Sequence, residues 1–89
     1  MYSDKFYREG AFANMDSRTR IKTVITAEGT TLKNIVEEIN ARHPDDTTTA
    51  QNITNKLSRK TIRFDEVSEM MDILEYDVIF RSRKDGKEY

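Results

Sequence analysis

The chain has 89 residues, room for one domain and no more. With 36% hydrophobic and 35% charged residues it can build one thin core, which excludes a disordered chain and suits a small helical protein. It has no cysteine, so neither a disulfide framework nor a thiolate metal site can exist.

Residues 1–15 are set apart as an N-terminal arm without an assigned structure. The first helical pattern runs from Ser17 to Glu28, with Ile21, Val24 and Ile25 on one stripe. Asp16 or Ser17 can cap its start, and Gly29 can end it. A second helix opens at Thr30 or Thr31 and carries Leu32, Ile35, Val36 and Ile39 at helical spacing. Pro44 cannot sit inside a continuing helix, so this one stops by His43, and Pro44–Thr47 reads as a turn.

The third helix starts with Thr48 or Thr49 as cap and runs to about Arg59, with Ala50, Ile53 and Leu57 facing inward. A fourth carries Phe64, Val67, Met70, Met71 and Leu74 spaced by three and four and runs to about Glu75. Tyr76–Arg81 is β-branched and aromatic with partial alternation, which predicts a strand. Ser82–Tyr89 is polar and reads as a frayed tail. The expected architecture is mainly α: four or five helices and a short C-terminal strand, spanning residues 16–81.

The net charge of −1 conceals a segregation along the chain. Residues 47–64 hold Lys56, Arg59, Lys60 and Arg63 with no acid. Residues 65–77 hold Asp65, Glu66, Glu69, Asp72, Glu75 and Asp77 with no base. A polyanion responds to local potential within about one Debye length, roughly 8–10 Å, so the basic stretch matters more than the total. No apolar run approaches a membrane span and no signal-peptide core is visible, so a cytoplasmic protein is expected.

The third helix carries the most specific signal. Opposite its inward stripe lie Thr48, Asn52, Asn55 and Arg59, flanked by Gln51 and Lys56. Every one can donate a hydrogen bond and none is acidic. Asn and Gln can pair bidentately with adenine, Arg and Lys can do so with guanine, and Thr or Lys can hold phosphates. An ordinary solvated helix face is the competing explanation.

Thr31-Leu32-Lys33-Asn34-Ile35-Val36-Glu37-Glu38-Ile39-Asn40 resembles the first half of a lambda-repressor-like (Xre/Cro) helix-turn-helix, and Thr49–Arg59 resembles its recognition half. The similarity covers roughly residues 17–81 and is nearest to small phage and Firmicutes members with a C-terminal segment like Leu74–Phe80. It implies that helix three enters the major groove, that helix two crosses the backbone, and that Lys33 faces phosphate. Two features depart from the pattern: Leu32 stands where many members carry Gln, and Ala41–Thr48 lengthens the turn.

The expected partner is therefore double-stranded DNA, and the expected role is transcriptional regulation, repression above all. Asn52, Asn55 and Arg59 are the candidate base readers. Thr48, Thr49, Gln51, Lys56, Lys60 and Lys33 are the candidates for phosphate register and marginal contacts. The alternative is a protein-interaction module using acidic helix four or the strand edge.

A lone strand needs a partner, either Lys5–Arg8 or the same strand of a second copy. The latter gives a two-fold homodimer through Tyr76, Val78, Ile79 and Phe80, with help from Phe6, Tyr7 and Phe12. Such a dimer suits a palindromic site with half-sites about 34 Å apart.

Other residues carry less. His43 is the single histidine and sits at a helix end; Met70 and Met71 read as core. Asp45-Asp46 and Glu37-Glu38 fit no known metal loop. No nucleophile stands beside a base, so neither an enzyme nor a cofactor or small-molecule substrate is expected.

Overall fold

Helix ends in this protein are set by short-range capping. The computed structural model describes residues 16–89, so the N-terminal arm, including Lys5–Arg8, Phe6, Tyr7 and Phe12, lies outside the described residues. Asp16 accepts the Thr19 amide at 2.9 Å and opens α1, Ser17–Ala27. Thr31 accepts the Asn34 amide at 3.2 Å and opens α2, Leu32–Arg42. Thr49 accepts the Asn52 amide at 3.0 Å and opens α3, Ala50–Arg59. Each of these oxygens satisfies one of the four amides that a helix start leaves without a partner.

α4, Phe64–Ile73, lacks such a cap; instead the Glu66 carboxylate reaches back to accept the Arg63 amide at 2.9 Å. At the other ends, α1 closes into Gly29 at φ 68°, a left-handed conformation that glycine adopts without strain. α3 and α4 end in left-handed residues that are not glycine, Lys60 at φ 60° and Glu75 at φ 65°.

The core lies where the four helices meet. Ile21 and Ile25 of α1, Ile35 and Val36 of α2, Ile53 and Leu57 of α3, and Met70, Met71 and Leu74 at α4 are all buried. Each aliphatic side chain so buried contributes about 1.5–3 kcal/mol of transfer free energy. α2 packs against both α3 and α4, and α1 packs against α3. Ala50, Val67, Leu32 and Ile39 are half-buried around this centre. The mainly helical architecture is as the sequence predicts.

The lengthened α2–α3 connection closes on itself. Asp46 donates its amide to the His43 carbonyl at 3.0 Å, making the turn expected at Pro44–Thr47. The half-buried Asn40 side chain then holds both backbone groups of Thr48, accepting from its amide at 2.8 Å and donating to its carbonyl at 3.0 Å.

The C-terminal region corrects two expectations. Tyr76–Arg81 does not form a strand among the described residues; its one ladder contact is the antiparallel bridge between Arg81 and Glu88. Among the described residues the end of this segment pairs with the chain's own tail. Phe80 and Tyr89 exchange two amide–carbonyl bonds of 3.0 Å, and Ser82 donates to the Lys87 carbonyl at 2.8 Å. Gly86, at φ 80°, lets the backbone reverse, so Ser82–Tyr89 is a hairpin arm rather than frayed.

Phe64, placed by its spacing in the α4 core stripe, is 55% exposed. As the first residue of α4 it projects past the end of the core, where it stacks on Phe80 with ring centroids 5.8 Å apart.

Candidate nucleic-acid interface

Ile53 and Leu57 fix the roll of α3, being 2% and 4% exposed. At 100° per residue that leaves Gln51, Asn52, Asn55, Ser58 and Arg59 on the solvent side, and all five are exposed. Gln51 donates from Nε2 to Asn55 Oδ1 at 3.0 Å. One amide thus orients the other, and the outer atoms of the pair keep a donor, Asn55 Nδ2, and an acceptor, Gln51 Oε1. Such a pair of groups matches the major-groove edge of adenine. No acidic residue lies on α3.

The remaining candidates divide. Thr49 is the α3 cap, its hydroxyl engaged by the Asn52 amide. Thr48 is half-buried and its backbone is held by Asn40, so its position is fixed from inside the domain. Lys56 turns away from the outer face and pairs its ammonium with Glu66 of α4. Partial burial alone would push the Glu66 carboxyl up, but hydrogen bonds from Lys56 and the Arg63 amide, with both positive charges, hold it below the usual carboxylate range.

Arg59 and Lys60 are exposed at the end of α3, where positive charge also complements the helix dipole; neither has an ion pair among the described residues. Lys33 is exposed in the first turn of α2.

Half of the acidic stretch, Glu66, Glu69 and Asp72, is paired within the molecule. Arg42 of α2 reaches Asp72 at 3.0 Å and Glu69 at 3.6 Å, and the His43 ring meets Glu69 at 2.9 Å. Glu66 is taken by Lys56 and Arg63. His43, Lys56, Arg63, Glu66 and Glu69 border a cavity of about 490 Å³ between α2, α3 and α4, which Asn52 also lines. Three of the four α4 acids therefore face the α2 and α3 seams. His43 is a helix end, the α2 C-cap, as expected, but it has an acidic partner.

Sequence reasoning missed the cations of α1. Arg18, Arg20 and Lys22 lie on a helix with no acid, a signal hidden when residues 1–46 are summed to −1. Among the described residues no helix is long and apolar enough to cross a membrane. The class defined by fold and surface is a small four-helix domain whose third helix presents an acid-free amide and cation face. No family model, curated protein or solved structure matches the chain.

Proposed function

We propose that the chain is a sequence-specific, double-stranded DNA-binding regulator of transcription, a repressor of the phage or mobile-element type with a lambda-repressor-like helix-turn-helix. The observation that carries this reading is the outer face of α3. Gln51, Asn52, Asn55 and Arg59 are exposed together, and Glu66 of α4 is drawn into an ion pair with Lys56 on the flank of the helix. A major groove about 12 Å wide admits one helix, and this face carries the hydrogen-bonding groups that read base edges there.

The working form in this reading is a homodimer joined by the apolar surface of Tyr76, Val78, Ile79 and Phe80, now with Phe64 added. Val78, Ile79 and Phe80 are 39%, 50% and 63% exposed. With Phe64 they make a patch on the order of a few hundred Å², the size at which exposed apolar surface marks an interaction site. A two-fold pair would present two α3 helices to a palindrome.

The same patch supports one alternative, a regulator that binds a protein partner instead of DNA. Selection from a pool of random duplexes, with affinity followed against salt, separates the two. Enrichment of a palindrome and a steep loss of affinity with rising salt is the expected result. Unselective or absent binding would overturn the DNA reading in favour of the protein partner.

A further inference from the structure

The basic face of α1 is the strongest feature that the proposed reading leaves unused. Arg18, Lys22 and Thr26 follow one another at intervals of four, so they form a single stripe along the helix. Arg18 and Lys22 rim a slot between α1 and α3, floored by Ile21, Ile25 and Leu57, with Thr54 on the α3 side. At about 140 Å³ the slot is too small for an effector, since ligand pockets run to about 300–1,000 Å³. Its cations are exposed and open to a ligand that lies outside it.

Thr54 is one residue from Asn55, so the slot borders the outer face of α3 directly. The two flanks of that face differ. On the α4 side the flanking cation, Lys56, is neutralised by Glu66. On the α1 side neither Arg18 nor Lys22 has an ion pair among the described residues.

The α1 N-terminus also lies near the α3 C-terminus. The Asp16 carboxyl is held below its usual range first by hydrogen bonds from Thr19, and further by the charges of Lys60 and Arg18. Arg18 thus stands between Lys22 along the slot and Lys60 near Asp16, and Asp16 is itself engaged as the α1 cap.

Resting on the DNA-binding reading, we infer that Arg18 and Lys22 of α1 hold phosphates of the DNA strand bordering the groove that α3 enters. Packed helices lie about 8–10 Å apart. A major groove is about 12 Å wide, so a helix beside the recognition helix is set over a bordering strand. Contacts of this kind set register and affinity but carry no base preference.

The test uses the full chain and the duplex that selection enriches. Arg18→Gln/Lys22→Gln is compared with wild type and with Lys84→Gln, which removes an exposed cation from the turn of the C-terminal hairpin. The double variant is expected to bind several-fold more weakly, with the slope of log Kd against log salt reduced by about 2, and to enrich the same sequence. Its melting temperature and the binding of Lys84→Gln should stay near wild type. An unchanged slope, or an equal loss in Lys84→Gln, would overturn the inference while leaving the DNA reading intact. A wild-type chain that binds no duplex would overturn both.

Discussion

Asn40 and Thr48 form a closed pair: the side-chain amide of one holds both the amide and the carbonyl of the other, at 2.8 and 3.0 Å. The contact is partly buried and spans the entire α2–α3 connection. It sets the chain entering Thr49, the α3 cap, and so the point from which the outer face of α3 starts. Asn40→Ala leaves two backbone groups without partners and should cost about 1–3 kcal/mol in urea unfolding. Asn40→Asp keeps the acceptor and loses the donor, so its cost should be intermediate. Equal stability of Asn40→Ala and wild type would show that the connection does not depend on this clamp.

Lys60 and Glu75 both occupy left-handed backbone that favours glycine. Replacing either by glycine should relieve steric cost and stabilise the fold, by up to about 1 kcal/mol. The two should part in function. Lys60→Gly should weaken DNA binding although the protein is more stable, whereas Glu75→Gly should leave binding unchanged. Parallel melting and binding curves check this.

Base reading and phosphate contact should separate in the same way. Asn55→Ala removes an outward amide and its bond from Gln51, and should relax specificity at a cost of about 1–3 kcal/mol on the preferred site. Lys60→Ala should weaken all duplexes alike. Uniform losses from both variants across a panel of sequences would refute this division of roles.

Acid should loosen the α3–α4 seam. The Glu66 carboxyl is held below its ordinary value near 4.5, so it stabilises the fold above that value. The contribution is lost as pH falls from about there through the folded-state pKa. Glu66→Gln should lose about 0.5–1 kcal/mol near neutrality, a figure kept low because Lys56 is 40% exposed and solvent screens the pair. The difference from wild type should shrink below pH 4.5, as followed by urea unfolding at each pH.

The apolar patch predicts self-association. Wild type should sediment as a dimer at tens of micromolar, and Ile79→Glu, at a half-exposed position, should sediment as a folded monomer. A wild-type monomer at that concentration would remove the homodimer from the reading.

Caps, helix ends and core positions were legible in the sequence because their causes are local. Asp16, Thr31 and Thr49 each act on an amide three residues away, and Ile21, Ile25, Ile53 and Leu57 repeat at the period of the helix. The outer face of α3 followed from the same periodicity. What periodicity could not assign was the destination of side chains and segments that meet far along the chain.

Lys56 reads as part of the basic face, yet Glu66 takes it inward. The acids of α4 read as a free surface, yet Arg42 and His43 meet them from about thirty residues away. Tyr76 reads as part of a strand, but its hydroxyl donates to Glu28, 48 residues earlier, at 2.8 Å. Local hydrogen bonding and the helical period thus determined the four helices and their buried faces. The packing of those helices decided which charges are neutralised, because that depends on distances no spacing in the sequence encodes.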